Sequence, residues 1–327
     1  MLSEFDLIKQ FFKRERRGHA DLGIGDDCAL LTPTPGRQLA ISSDMLVENR
    51  HFFAGAAPFM LGHKSLAVNL SDLAAMGARP LGFTLALALP SADPVWLDGF
   101  SRGLFALADA HDCELIGGDT TKGPLNICIT VFGELLPGHA LRRDAARVGD
   151  DVWISGTLGD ARLALAGDWK EVPLAPEDHL EAAQRMHMPS PRVALGLALA
   201  APPDVARPIA HAALDISDGL VGDIGHILAA SRVGATLEVD ALPAGVVLAR
   251  QSLELRRRFA LAGGDDYELC FTAPVANRES VLEAGRVSGT AVTRVGRIEA
   301  EAGLRFVDAQ GARLDLDVSG WDHFNSN

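Results

Sequence analysis

Residues 58–78 read PFMLGHKSLAVNLSDLAAMGA and have the pattern of a helix. Its proline suits the first turn of a helix and its last glycine suits the position just past the end, so the pattern predicts a helix over Pro58–Met76. Ser65, Asn69 and Asp72 are spaced by four and three residues and therefore share one face of that helix. A solvated face normally carries Lys, Arg or Glu, so this polar stripe indicates an inward-facing polar pocket.

The sequence on both sides of this helix alternates between strand and helix patterns. A short helix is expected from Ser3 to about Arg16, with Ser3 as N-cap. Strands are expected at 28–31, 38–42, 81–89, 113–116, 126–135, 151–155, 213–216, 236–239, 267–272 and 292–298, and helices at 94–112, 159–166, 191–200, 217–231 and 279–286. Pro137-Gly138 and the basic segment after it interrupt the pattern, which predicts two mixed α/β domains, residues 1–140 and 148–327.

Acidic residues recur along the chain beside glycine or serine, or at the end of an apolar run. Carboxylates at tight turns supply the oxygen ligands that hard divalent cations need. Any one such motif is equally ordinary turn chemistry, but the recurrence indicates a magnesium and phosphate site. The motifs are GDD at 25–27, SSD at 42–44, GGD at 117–119, DISD at 215–218 and GGDD at 263–266.

The motif DISD precedes a predicted helix. The free backbone N–H groups at the start of that helix, together with the Ser217 hydroxyl, could hold phosphate oxygens. An ordinary N-cap formed by Ser217 or Asp218 is the alternative. Asp215, at the end of the preceding strand, is not explained by capping.

Composition narrows the class of protein. The chain has 327 residues, of which 48% are hydrophobic, which predicts a globular protein long enough for two cores. A formal net charge of -13 argues against a nucleic-acid-binding surface but leaves room for a nucleotide held through divalent cations. We expect no signal peptide and no membrane span, and hence a cytoplasmic location. The four cysteines lack CxxC spacing and are expected to be reduced core residues.

Common catalytic signatures are missing from the sequence. There is no GxxxxGK[ST] and no HExxH, and the one Gly-x-Ser-x-Gly spacing, GFSRG at 99–103, lies inside the helix predicted over 94–112 and so is no strand-to-helix elbow. A P-loop nucleotide site, a zinc hydrolase and serine nucleophilic catalysis therefore have no support.

Longer motifs resemble one known family along nearly the whole chain. They are GIGDDCALL at 23–31, AVNLSDLAAMGA at 67–78, GGDTT at 117–121, DISDGL at 215–220, GGDDYELCF at 263–271 and GWDHF at 320–324. Together these motifs resemble the thiamine-monophosphate kinase family, within the superfamily of aminoimidazole ribonucleotide synthetase and selenophosphate synthetase.

The resemblance implies ATP-dependent phosphorylation of thiamine monophosphate to thiamine diphosphate with several Mg²⁺ ions. It also implies the two-lobed α/β fold of aminoimidazole ribonucleotide synthetase. The N-terminal domain would bind ATP and Mg²⁺ and form a homodimer through its strands, and the C-terminal domain would complete the nucleotide and substrate site.

The resemblance also assigns roles to residues. The magnesium set would be Asp27, Ser42, Ser43, Asp44, Asp72, Asp119, Asp215 and Asp218, with Asp44, Asp72 and Asp119 acting in catalysis through the metal. The ATP contacts would be Gly118, Asp119, Arg143 and Ser217. The thiamine monophosphate contacts would be His51, Asp265 and Trp321.

Some of these residues have ordinary alternatives or depart from the family pattern. Taken alone, Arg143 would be a solvated arginine, His51 a half-buried histidine and Trp321 a packing residue. Ser43 stands where Thr is usual, Asp265 where Glu is usual, and Trp321 where another aromatic is frequent. Asp265 is one methylene shorter than Glu, so it has a shorter reach to substrate.

Two other functions fit the same acidic motifs. The first is a sister enzyme acting on another acceptor; selenophosphate synthetase would need a reactive cysteine near the first glycine loop, and Cys28 is expected to be a packing residue. The second is a non-enzymatic nucleotide or metal sensor. The separate acceptor set of His51, Asp265 and Trp321 favours an enzyme.

Overall fold

The structure of the chain is a computed structural model that describes residues 3–15, 18–200 and 207–318, with nothing described of the Glu4 side chain. Two compact units make up the chain. Unit 1 comprises Met1–Leu73 and Ala78–Pro137, and unit 2 comprises Ala74–Gly77 and Gly138–Asn327.

Unit 1 is built on a four-stranded sheet in the order β1-β4-β2-β3. Strands β2 and β3 are parallel, and β4 is antiparallel to both β1 and β2. In chain order the elements that begin in this unit are α1 (Glu4–Leu7), a π-helical turn (Ile8–Phe12), β1 (Gln38–Val47), α2 (Pro58–Met76), β2 (Arg79–Leu89), α3 (Pro94–Ala110), β3 (Glu114–Lys122) and β4 (Asn126–Leu135).

The helix predicted from the opening stretch is confirmed at both ends. It runs over Pro58–Met76, and Gly77 follows it with a φ of 69°, a left-handed conformation that glycine adopts without strain. Helices α2 and α3 touch through glycines, since a Cβ on Gly103 would lie 1.8 Å from the carbonyl oxygen of Phe59. This close approach lets the two helices pack against each other beside the sheet.

Several predictions for unit 1 are confirmed and others are wrong. Strand β4 has the predicted bounds, and Ser3 caps the first helix, since the backbone N–H of Asp6 donates to Ser3 Oγ at 3.2 Å. The run at 28–31 is no strand and forms one isolated bridge, between Leu22 and Leu30. Strand β3 extends through Lys122, so the motif GGD, predicted as a turn, lies inside a strand. Pairing with β2 along its length outweighs the turn preference of the two glycines.

Unit 2 is built on a seven-stranded sheet in the order β11-β10-β7-β9-β5-β8-β6. Most of its adjacent pairs are antiparallel; β10 with β7 is parallel. In chain order its elements are β5 (Asp151–Ser155), α4 (Asp160–Asp168), α5 (Pro176–His187), α6 (Val193–Ala200), β6 (Ala212–Asp215), α7 (Leu220–Ser231), β7 (Gly234–Glu238), α8 (Leu253–Ala262), β8 (Leu269–Ala273), α9 (Arg278–Ser288), β9 (Val292–Glu299), β10 (Gly303–Val307) and β11 (Arg313–Leu314).

Most elements predicted in this half are present with shifted ends. Helix α7 starts three residues later than predicted, at Leu220, with Gly219 as its N-cap. Helices α5 and α8 and the last two strands were not predicted. The sheet, α7 and α8 share a core whose fully buried members include Val152, Ile224 and Leu261.

Two expectations about the whole chain can be compared with the described residues. Every helix among the described residues is too short or too polar to cross a membrane. All four cysteines are free thiols, but only Cys113 and Cys270 are buried, whereas Cys28 is exposed. The prediction that Cys28 is a packing residue is therefore wrong, because the segment after the first glycine loop is not a buried strand.

Candidate functional site

The polar stripe of α2 faces strand β1 inside unit 1. Asn69 is fully buried; its Oδ1 accepts the backbone N–H of Asp44 at 3.1 Å, and its Nδ2 donates to the carbonyl oxygen of Ser65 at 3.0 Å. The Ser42 hydroxyl donates to Asp72 Oδ2 in a short hydrogen bond. The predicted inward-facing pocket is therefore confirmed, and it brings together Ser42, Asp44 and Asp72.

The two carboxylates of this pocket repel each other. Burial, and then the charge of Asp72, raise the pKa of Asp44 to about 6. Two close carboxylates with incomplete solvation favour a bound proton or a cation between them. Because Mg²⁺ binds oxygen ligands and offsets this repulsion, the pair fits a magnesium ion.

The other magnesium candidates of unit 1 are not gathered around this pair. Ser43 is cross-strand partner to Thr130, and the hydroxyls of the two residues lie 2.9 Å apart. Successive residues of a strand point to opposite faces, so the Ser43 hydroxyl lies on the face away from Ser42 and Asp44. Asp27 is exposed in the first glycine loop, and its backbone N–H donates to Asp26 Oδ1 at 2.9 Å.

Asp119 lies at the other edge of the same sheet. The register links Asp44 through Ile129 and Leu85 to Gly118, so these four residues form one row across the sheet. With strands about 4.8 Å apart, the two ends of the row are separated by about 14 Å. Asp119 is the residue after Gly118 in β3, so this spacing of the two strands favours separate cation positions for Asp44 and Asp119.

Gly118 has a conformational reason to be glycine besides the predicted contact with ATP. Its φ is 146°, and a Cβ there would lie 1.9 Å from the carbonyl oxygen of Leu85. Strand β3 can approach β2 at this point only because the side chain is absent.

His51 closes the turn that follows strand β1. Its Nδ1 accepts the backbone N–H of Val47 at 3.0 Å, and its own backbone N–H donates to the carbonyl oxygen of Val47 at 3.0 Å. A neutral His51 therefore carries its proton on Nε2, which is a donor suited to a phosphate oxygen.

In unit 2 the motif DISD forms a loop between β6 and α7. Asp215 is buried at the end of β6, and the backbone N–H groups of Ser217 and Asp218 both donate to Asp223 Oδ2, at 3.0 and 3.1 Å. For Ser217 and Asp218, therefore, the expectation of N–H groups free for phosphate is wrong, because Asp223 of α7 accepts both.

Asp223 is a member of this site that the sequence did not reveal. Burial and the charge of Asp218 raise the pKa of Asp223 to about 7. It lies in the first turn of a helix, where an acidic residue is an ordinary helix-stabilising choice, so its sequence position carries no separate signal.

Arg143 is exposed in a short helical turn of residues 143–145. Among the described residues no ion pair to its guanidinium is found, whereas the adjacent Arg142 pairs with Asp144 at 2.5 Å. The carbonyl oxygen of Arg143 accepts the hydroxyl of Ser231, the last residue of α7, at 2.8 Å. The length of α7, about 18 Å, therefore separates Arg143 from the loop that carries Ser217.

Asp265 is tied to the same loop, since its backbone N–H donates to the carbonyl oxygen of Ser217 at 2.8 Å. The GGDD and DISD motifs are therefore adjacent in unit 2. Trp321, the third predicted substrate contact, lies outside the described residues.

Within residues 3–15, 18–200 and 207–318, no group of three or more His, Cys, Asp or Glu side chains is arranged to hold a metal ion. Mg²⁺ normally keeps several waters and is bound through one or two carboxylates together with substrate phosphates. The pair of Asp44 and Asp72 matches that mode, which does not need a complete cage of protein ligands.

Comparisons with known proteins identify the family. Residues 25–135 match the N-terminal domain, and residues 147–309 the C-terminal domain, of AIR synthase related protein. The chain is 44% identical to the thiamine-monophosphate kinase of Salmonella typhimurium strain LT2 over 98% of each protein.

Solved structures agree with these matches. The thiamine-monophosphate kinase of Stenotrophomonas maltophilia K279a is 46% identical, with a TM-score of 0.82 over 89% of this chain and 92% of that one. A structure described as AaThiL complexed with AMPPCP and TMP is 29% identical, with a TM-score of 0.75 over 90% of this chain and 89% of that one. The chain therefore belongs to the AIR synthase related family and, within it, to the thiamine-monophosphate kinases.

Proposed function

We propose that the protein transfers the γ-phosphoryl group of ATP to thiamine monophosphate and forms thiamine diphosphate and ADP. The observation that carries the proposal is the pair of Asp44 and Asp72, an inward-facing acidic pocket in a chain 44% identical to a thiamine-monophosphate kinase. The related structure with AMPPCP and TMP supports the same two substrates for this chain.

The chemistry asks the protein for charge neutralisation and positioning. The acceptor is a phosphate oxygen that is largely ionised at neutral pH, since a phosphate monoester loses its second proton near pH 6. No strong general base is needed, and catalysis depends on bringing two anions together in line. Mg²⁺, when bound, neutralises charge on the phosphates.

The site residues divide between these tasks. We assign magnesium to Asp44 and Asp72 with the Ser42 hydroxyl, and further cation positions to Asp27, Ser43, Asp119, Asp215 and Asp218. We assign ATP to Gly118, Asp119, Arg143 and Ser217, and thiamine monophosphate to His51, Asp265 and Trp321. In this proposal Asp44, Asp72 and Asp119 act in catalysis through the metal, and Arg143 neutralises phosphate charge.

The two domains then have different tasks. We assign most of the magnesium set and the dimer strands to residues 1–140, together with His51, Gly118 and Asp119. Residues 148–327 supply Asp215, Ser217, Asp218, Asp265 and Trp321, and Arg143 lies between the two ranges. Free thiols at all four cysteines are compatible with a cytoplasmic enzyme.

We also propose a homodimer formed by unit 1. Strand β1 lies at the edge of its sheet, and its side chains Leu39, Ile41 and Met45 are 41%, 61% and 53% exposed. An exposed apolar edge strand is an unfavourable surface for a monomer, so a second copy of the chain is its proposed partner.

The reaction itself is the test. Purified protein with ATP, Mg²⁺ and thiamine monophosphate should form thiamine diphosphate and ADP in equal amounts, measured by chromatography of both products. Thiamine, selenide and formylglycinamidine ribonucleotide serve as competing acceptors and should give no product above the rate without acceptor. Transfer to one of these acceptors but not to thiamine monophosphate would assign the chain to a sister activity. Tight binding of Mg-ATP without product from any acceptor would favour a sensor.

A further inference from the structure

The segment that follows α8 is held by its backbone to the loop after β6. The N–H of Asp265 donates to the carbonyl oxygen of Ser217 at 2.8 Å, and the N–H of Tyr267 donates to that of Ile216 at 2.9 Å. In return, the N–H of Ile216 donates to the carbonyl oxygen of Glu268 at 2.7 Å. The position of Asp265, our proposed substrate contact, is therefore set by this segment.

Two residues of the segment adopt a backbone conformation that side chains disfavour. Asp265 has a φ of 71° and Tyr267 a φ of 50°. Left-handed conformations at residues other than glycine persist only where the surroundings impose them. Between them, Asp266 is buried, and its carboxylate accepts the backbone N–H of Gly159 at 2.9 and 3.1 Å.

A buried charge cluster adjoins the same segment. Glu268 is fully buried, and its carboxylate accepts the Ser155 hydroxyl at 2.6 Å, Arg192 Nε at 2.6 Å and Arg185 Nη2 at 2.7 Å. Only Arg185, among these three donors, is also bonded to the strained backbone, since its Nη2 donates to the carbonyl oxygen of Asp266 at 3.2 Å. Arg192 and Ser155 hold the carboxylate; Arg185 links it to the Asp266–Tyr267 peptide.

From this geometry we infer that Arg185 is a positioning residue for substrate binding, which fixes the Asp266–Tyr267 peptide and thereby the direction of the Asp265 carboxylate. Without a donor on the Asp266 carbonyl oxygen, that peptide can rotate, and the rotation lets Tyr267 leave its left-handed conformation. The rotation would break the bond from Tyr267 to Ile216 and move Asp265. This inference rests on the proposed function, because it takes Asp265 as a contact of thiamine monophosphate.

The test compares Arg185→Lys with Arg192→Lys, each alone and combined with Asp265→Ala. Lysine keeps a positive charge near Glu268, but its side chain is one bond shorter than Arg185 and ends short of the position of Nη2, the atom that donates to both acceptors. Arg185→Lys should raise the KM for thiamine monophosphate about tenfold, with kcat and the KM for ATP within about twofold. In the Asp265→Ala background the same change should raise that KM less than about twofold, because its effect passes through Asp265.

Arg192→Lys is the matched control for the loss of a Glu268 partner. It should lower the melting temperature as Arg185→Lys does. Its effect on the KM for thiamine monophosphate should be the same in the unmodified and the Asp265→Ala backgrounds. If Arg185→Lys does not fold, Arg185→Gln replaces it, with the same expected dependence on Asp265.

Three results would overturn the inference. The first is an equal rise of the KM for thiamine monophosphate on Arg185→Lys with Asp265 and with alanine at that position. The second is an equal rise of the KM values for thiamine monophosphate and ATP, and the third is an unchanged KM for thiamine monophosphate in Asp265→Ala. Absence of product from the unmodified enzyme would instead overturn the proposed function.

Discussion

Asp72 lies close enough to Asp44 for its charge, together with burial, to raise the pKa of Asp44 to about 6. Helix α2 positions both groups. Its Asn69 accepts the backbone N–H of Asp44, and its Asp72 accepts the Ser42 hydroxyl. An unfavourable arrangement of this kind at two half-buried carboxylates is typical of a functional site.

The first prediction concerns stability without divalent cations. Because folding raises the pKa of Asp44 from 3.8 to about 6, the folded state binds more protons than the unfolded state in that interval. The free energy of unfolding therefore falls as pH rises from 4 to 6. Above that range, the destabilisation caused by Asp44 no longer changes with pH. Asp44→Asn should raise stability by about 1–3 kcal/mol at pH 7.5 and by little at pH 4, measured by urea unfolding in EDTA.

With Mg²⁺ present, the unmodified protein and not Asp44→Asn should have the higher free energy of unfolding at pH 7.5. At pH 7.5 the ion should stabilise the unmodified protein more than Asp44→Asn, and at pH 5 protons should compete with it. Asp98→Asn, which removes an exposed carboxylate of α3, is the control for general cation binding and should respond like the unmodified protein. Equal stabilisation of the Asp44 variant would show that Mg²⁺ binds elsewhere.

The second prediction separates the two roles of Gly118. Gly118→Ala brings a Cβ to 1.9 Å from the Leu85 carbonyl oxygen at a φ of 146°, so it should destabilise the fold by about 2–4 kcal/mol. Gly117→Ala is the control, since its Cβ meets only Thr84 Cγ2 at 3.7 Å, and should change stability by less than about 1 kcal/mol. An unaltered melting temperature for Gly118→Ala with a raised KM for ATP would mean that ATP contact alone requires this glycine.

The third prediction concerns assembly. Ile41→Lys puts a charge in the middle of the apolar edge strand and should convert the dimer to a monomer at micromolar concentration, as measured by sedimentation velocity. Leu180→Lys, at a side chain that is 64% exposed on α5, should leave the dimer intact. A monomeric unmodified protein, or a dimeric Ile41→Lys variant, would contradict the proposed interface.

The fourth prediction concerns ATP. Arg143→Ala should raise the KM for ATP about tenfold or more, because a charge-assisted hydrogen bond to phosphate contributes about 1.5–3 kcal/mol. Arg142→Ala removes an arginine that is already paired with Asp144 and should change the KM by less than about twofold. The opposite order of effects would assign the nucleotide contact to Arg142.

The sequence was sufficient where local signals agreed with packing. Pro58 and Gly77 define α2 because one is favoured in the first turn of a helix and the other adopts the left-handed conformation that ends it. The polar stripe was predictable for a similar reason, since helical spacing puts Ser65, Asn69 and Asp72 on one face.

The sequence was insufficient where contacts between residues far apart in the chain determine the structure. The glycines of the motif GGD favour a turn locally, yet pairing with β2 makes them part of β3. Asp223 is an ordinary acidic residue of a first helical turn, and only the loop's path shows that it binds the N–H groups of Ser217 and Asp218. Similarly, the joint role of Arg185 and Glu268 depends on a contact between residues 83 positions apart.

The assignment of Asp44 and Asp72 to the catalytic metal is tested by the rate of thiamine diphosphate formation in Asp44→Asn and Asp72→Asn at saturating ATP and Mg²⁺. Both variants should fold, as judged by circular dichroism and thermal unfolding, and both should lose at least about 100-fold in kcat, the usual scale for removing one strong electrostatic contact to a transition state. Asp98→Asn should retain the rate of the unmodified enzyme. Rates near that of the unmodified enzyme in both pocket variants would contradict the assignment of this pair to the catalytic metal.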